Sequence, residues 1–143
     1  MIITSVNVKT LTDQHLSDEC RQIPRLVARF RDHGQVAVPD IVAAERPFLL
    51  TEERIRWLLG RSVEVVVEME AREFIWKGRA RPLQMPAGYD TFGPVWFPTQ
   101  EDEEAGYSAL MAAHHKKPSS FLFWRKPAAF YHYAPSSRPT VRP

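Results

Sequence analysis

At 143 residues the chain has the length of one domain with a single buried core. Hydrophobic content of 44% and charged content of 25% are those of an ordinary globular protein, which excludes collagenous and wholly disordered classes. Net charge is only +2, so bulk charge alone announces no nucleic-acid partner. The distribution says more: from His114 onward there is no acid, while Lys116, Lys117, Arg125, Lys126, Arg138 and Arg142 accumulate. Acids gather instead at Glu101 to Glu104 and along the middle of the chain, a segregation that permits a one-sided basic surface. A single cysteine, Cys20, excludes an internal disulfide framework and suits a reducing compartment. No apolar run approaches the roughly 20 residues of a membrane span, and the chain start lacks the order of a signal peptide. A cytoplasmic monomer without cofactor or membrane association is expected.

In chain order, Thr12 is a helix cap and Asp13 sits where the helix dipole favours an acid. Leu16, Cys20, Ile23, Leu26, Val27 and Phe30 recur at helical spacing. At about 100° per residue, Gln14, Asp18, Arg21, Gln22, Arg25 and Arg29 fall on the opposite face. Pro24 predicts a bend or local break, and Gly34 an end. Residues 35–50, with Pro39 and Pro47, read as an irregular connection. Thr51, Glu52 and Glu53 open a second helix whose buried stripe is Ile55, Leu58, Leu59, Val63, Val66 and Met69, fading near Phe74. Residues 78–98 form a long Pro- and Gly-rich aromatic loop, of a length that is usually functional or packed down by its own side chains. Thr99 and Asp102 match the capping box of a third helix, with Ala105, Leu110, Met111 and Ala112 inward and the run from His114 to Lys117 at its negative end. The predicted fold is a single all-α domain of about three helices with long loops, residues 134–143 forming a flexible tail.

The polar face of the first helix is the sharpest chemical feature. Arginines on successive turns can follow a phosphate backbone, because guanidinium matches phosphate in charge and donor geometry. A solvated amphipathic face explains the same pattern equally well, and Asp18 can pair with Arg21 or Arg25. In the tail, Phe121, Phe123, Trp124, Phe130, Tyr131 and Tyr133 interleave with Arg125 and Lys126, as stacking on bases beside a phosphate strand requires. Core closure is the better account of Phe121 and Phe123; Trp124 and Tyr131 fit either. His114 and His115 are adjacent and point apart on a helix, so no metal site is expected. Walker, GxGxxG, HExxH and GxSxG patterns are all missing from the sequence, leaving nucleotide hydrolysis, dinucleotide binding and zinc proteolysis without support.

The run from Leu11 to Leu26, LTDQHLSDECRQIPRL, resembles the N-terminal helix of the phage endonuclease V family of pyrimidine-dimer DNA glycosylases and abasic-site lyases. The likeness extends more weakly through RPFLLTEERIRWLLGRSVEVVVE and returns in KKPSSFLFWRK. The resemblance implies a helical domain that binds damaged double-stranded DNA and flips a base from the stack. It also implies an N-terminal α-amine as nucleophile on the sugar, a role suited to its pKa near 8. Met1 stands at the family's mature N-terminus. Gln22 stands where the family has its catalytic glutamate, and an amide cannot shuttle a proton. Asp18, one turn earlier, is the carboxylate nearest that role, whereas Glu19 points off its face. Arg21 and Arg25 match the family's DNA-contacting arginines, and Gln14 and His15 match its polar pair, expected at the DNA as well, although His15, just before the apolar Leu16, also fits a hydrogen-bonded boundary position. Arg29, Lys116, Lys117, Trp124, Arg125 and Lys126 extend the expected DNA surface. Three readings stay open: a working glycosylase or lyase, a silent or re-targeted DNA-binding descendant that recognises, for example, a modified pyrimidine, and a small helical interaction module.

Overall fold

The computed structural model describes residues 2–72 and 93–117, together with the backbone of two two-residue strands near 125. Its elements are a 3₁₀ turn at Val8–Thr10, α1 at Asp13–His33, β1 at Ala37–Val38, β2 at Phe48–Leu49, α2 at Glu52–Ala71 and α3 at Gln100–Lys116. Strands β3, Leu122–Phe123, and β4, Lys126–Pro127, follow and pair antiparallel. Among the described residues the domain is mainly helical, and α1 packs along α2.

Each long helix begins on a threonine. Thr12 Oγ1 accepts from the His15 amide at 3.2 Å, and Thr51 Oγ1 accepts from the Arg54 amide at 3.3 Å. Thr99 and Asp102 form a reciprocal capping box, with the Thr99 amide donating to Asp102 Oδ2 at 2.7 Å. These contacts satisfy amides that a helix start otherwise leaves without a partner. At the other end of α1, Gly34 adopts φ 72°, and its amide donates to Phe30 O at 2.7 Å. A side chain is disfavoured in that left-handed region, which is why glycine ends the helix.

Several details differ from the sequence reading, among them Ala112, expected inward on α3 but exposed. Pro24 does not break α1, which continues to His33. Its missing N–H costs one helical bond, but Cys20, Ile23, Leu26 and Val27 on either side are buried and hold both turns to the core. Val63 is 62% exposed, and Val65, at 0%, takes its place in the buried row of α2. The row of apolar residues from 63 to 67 conceals which of them faces inward, because every one of them is hydrophobic except Glu64. Residues 35–50 are also less irregular than expected: Ala37 pairs with Leu49 and Val38 with Phe48, antiparallel. Helix α2 closes at Ala71, with Arg72 at its cap. On α3, Leu110 is buried, Ala105 and Met111 are half-buried, and Ala112 is exposed.

The segment before α1 ties these elements together. Ile3 forms a parallel bridge with Ile41, its amide donating to Asp40 O and its carbonyl accepting from Val42 N, both at 2.8 Å. Gly106 of α3 lies so close above it that an added Cβ would stand 2.8 Å from Thr4 Cβ. The interior falls into two apolar clusters. One gathers Ile3, Ile23, Leu26, Val38, Phe48, Leu50, Ile55 and Leu58; the other gathers Val6, Leu11, Leu16, Val65, Met69 and Leu110. Trp96, at the described end of the long aromatic loop, sits edge-on to Phe48 at 5.3 Å and to Trp57 at 5.0 Å. That end is therefore packed down, although Phe97 beside it is 76% exposed. The rest of the 78–98 loop and the 134–143 tail lie outside the described residues.

Candidate nucleic-acid interface

The first helix sorts its residues into an inward apolar row and an outward polar one, as its spacing requires. On the outward side Arg21, Arg25 and Arg29 are exposed, while Gln14, Asp18 and Gln22 are half-buried. Arg21 is paired with Asp18 three residues earlier, through Nη2 and Oδ1. Asp18 is thus engaged with a cation of the same face, which weighs against it as the free carboxylate that the resemblance asks for beside Gln22.

A groove of about 480 Å³ runs along the second half of this face. It brings together Gln22, Arg25, Arg29 and His33 of α1, and it adds two carboxylates, Asp32 and Asp40. Two arginines one turn apart present donors at roughly 6 Å intervals along the helix, on the scale of successive phosphates in a strand. Gln22 lines the groove with an amide that can both donate and accept. The arrangement can hold an anionic backbone and read a polar group beside it. It offers no free carboxylate at residue 22 itself.

His15 does not share this surface. It is 5% exposed, and its Nδ1 lies 2.6 Å from Thr12 Oγ1. Burial, with nearby positive charge including that of His114 pushing the same way, lowers its pKa to about 4. At neutral pH it is an uncharged interior imidazole, and direct contact with DNA phosphate is closed to it. Lys116 and Lys117 are exposed at the C-terminal end of α3. Met1, Trp124 and Arg125 lie outside the described residues, and of Lys126 only the backbone in β4 is described.

The strongest electrostatic feature lies behind the polar face, at Glu19. Arg61 of α2 donates to it twice, Nε to Oε1 at 2.8 Å and Nη2 to Oε2 at 3.1 Å. The side chains are 1% and 4% exposed. Arg61 Nη1 also donates to Val6 O at 2.6 Å, and the Thr4 amide reaches Glu19 Oε2 at 3.5 Å. Burial raises the Glu19 carboxyl above its ordinary range against the opposing pull of Arg61. Glu19 is therefore a lock between α1, α2 and the first residues, and it has no route to the outer groove. A sequence signal existed: Glu19 interrupts the apolar row of α1 and Arg61 interrupts that of α2, as mutually neutralising core charges do. A second buried ion pair repeats the device, with Arg72 Nη1 on Asp13 Oδ1 and Nε on Glu68 Oε2, both at 2.9 Å.

Among the described residues no grouping of three or more His, Cys, Asp or Glu could hold a metal ion, and no helix is long and apolar enough to cross a membrane. Compared with known proteins, the chain matches no family model and no curated protein.

Proposed function

We propose that the chain binds double-stranded DNA through the outward face of α1 and acts on it as a base-excision glycosylase and abasic-site lyase. In this reading the Met1 α-amine is the nucleophile at the sugar C1′ of a flipped or damaged nucleotide, an attack that expels the base and leaves an imine. β-Elimination from that imine then cuts the strand. Arg25 and Arg29 hold phosphates, Arg21 joins them when it leaves Asp18, and exposed Lys116 and Lys117 add positive charge. The single observation carrying the proposal is the groove in which Gln22, Arg25 and Arg29 converge. The resemblance of residues 11–26 to the endonuclease V family supports the same reading.

A second reading is favoured by one residue. Gln22 holds the position of the family's glutamate, and Asp18 is occupied by Arg21. On that reading the chain recognises DNA without cutting it. Gel cleavage of duplexes carrying a thymine dimer or an abasic site, combined with borohydride trapping, separates the two. A trapped covalent complex at residue 1 supports the lyase. Duplex binding that weakens with salt, without trapping, supports the silent binder. Arg25→Ala with Arg29→Ala should reduce the slope of log affinity against log salt by about 2, near 0.9 for each phosphate no longer neutralised. An unchanged slope would remove α1 as the DNA-binding face.

A further inference from the structure

We infer that the α1 groove selects an unpaired nucleobase bearing an exocyclic amino group, cytosine and adenine among them, over thymine, which has none. The inference rests on the DNA-binding reading of the same face and is independent of cleavage. A groove meant only for phosphate would carry cations alone. This one places Asp32 and Asp40 beside Arg25 and Arg29.

Helix stability does not explain Asp32. It lies in the last turn of α1, Asp13–His33, where the negative end of the helix dipole disfavours an acid. Its side chain is 58% exposed, with only a 3.4 Å contact to the neighbouring, equally exposed Arg31. Asp40 is held in place by its backbone, whose carbonyl accepts from the Ile3 amide at 2.8 Å. Ionised carboxylates accept hydrogen bonds and cannot donate. They repel phosphate oxygens and the carbonyl edge of thymine, and they attract the amino hydrogens of cytosine N4 and adenine N6. Gln22 lines the other end of the groove, about 15 Å along α1 from Asp32, and is left out of the base contact. The division of labour is then consistent in sign: Arg25 and Arg29 take the backbone, and the two aspartates take the base. About 480 Å³ is within the size range of small-ligand sites.

The test uses the full chain and fluorescein-labelled duplexes of one sequence carrying a single bulged nucleotide, C, A or T, with fluorescence anisotropy as readout. Bulged C and A should bind at least about fivefold tighter than bulged T, the lower end of what one good bidentate base contact discriminates. Asp32→Asn with Asp40→Asn should erase that preference while strengthening binding of bulged T, since both repulsive charges are gone. Equal binding of the three bulges, or tighter binding of T, overturns the inference and leaves DNA binding standing. A preference that survives the double asparagine variant also overturns it, because the groove would not be its source. Failure to bind any of the duplexes would sink the DNA-binding reading itself, and this inference with it. Circular dichroism of each variant, unchanged from the parent, is the condition for reading any of these results.

Discussion

Replacing Glu19 with glutamine removes one charge from a pair that is otherwise sealed in the interior. Arg61 would keep its contact to Val6 O at 2.6 Å but would face a neutral amide at the two positions now 2.8 and 3.1 Å from carboxylate oxygens. At 4% exposure its charge has little water to turn to. Removing one partner of such a pair costs about 3–5 kcal/mol. That is a large share of the roughly 5–15 kcal/mol by which domains are stable. Removing both charges should cost less. In the double variant Glu19→Leu with Arg61→Leu, the losses are the Val6 carbonyl left without its donor, worth about 1–3 kcal/mol, and the long 3.5 Å contact of the Thr4 amide, which contributes less. Urea denaturation followed by far-ultraviolet circular dichroism measures all three proteins, with the slope against urea checking that the two-state description holds. The double variant is expected to be more stable than Glu19→Gln. A Glu19→Gln protein within about 1 kcal/mol of the parent, or a double variant less stable than the single one, would refute this account of the pair.

The pH dependence of stability should carry the signature of His15. Its pKa is about 4 when folded, against 6.5 for the free side chain, so the unfolded chain takes up the proton first as pH falls. The contribution is complete above pH 6.5 and is lost between 6.5 and 4, up to about 3 kcal/mol at 1.36 kcal/mol per pH unit. Urea titrations across that window should show a steeper fall for the parent than for His15→Gln; parallel curves would contradict the buried neutral imidazole. Two glycines should behave oppositely on replacement by alanine. At Gly60 an added Cβ meets nothing within 4 Å, so Gly60→Ala should stabilise α2 by about 0.5–1 kcal/mol. At Gly106 it would stand 2.8 Å from Thr4 Cβ and 3.2 Å from Val6 Cγ2, so Gly106→Ala should destabilise by about 1–3 kcal/mol. Thermal denaturation reads both signs, and a stabilised Gly106→Ala would disprove the close approach of α3 to the first residues.

Helix starts were legible because Thr12, Thr51 and Thr99 each perform a local task that residues within three positions complete. Hydrophobic spacing likewise placed Leu16, Ile23, Leu26, Ile55, Leu58 and Leu110 in the core. It failed for Val63 because Val63, Val65, Val66 and Val67 crowd into five positions, and only the partner helix decides which of them turn inward. His15 failed for a related reason: a polar residue in a helix sequence suggests the solvent side, yet it is buried against Thr12, whereas Glu19 leaves the polar face as its spacing requires and meets Arg61. The hairpin of β1 and β2 is two residues per strand, too short for alternation to be seen. The groove was half visible: Gln22, Arg25 and Arg29 follow from helical spacing, whereas Asp40 comes from a different segment and joins them only through the fold.

The bridge between Ile3 and Ile41 has a consequence for how the chain is made. Residues 2–8 close their contacts with partners that emerge progressively later from the ribosome: Asp40 and Val42, then Arg61, then Arg72, and last Gly106. Helices α1 and α2 can meet once Ala71 has been synthesised, but the segment before α1 stays without its cover until α3 follows. During translation residues 2–8 thus emerge ahead of both long helices and complete their contacts only with α3, although Ile3 can close its bridge earlier, and long separations of this kind slow folding. The apolar side chains of Val6 and Val8, which share a cluster with Leu110 of α3, would spend that interval without this part of their cover.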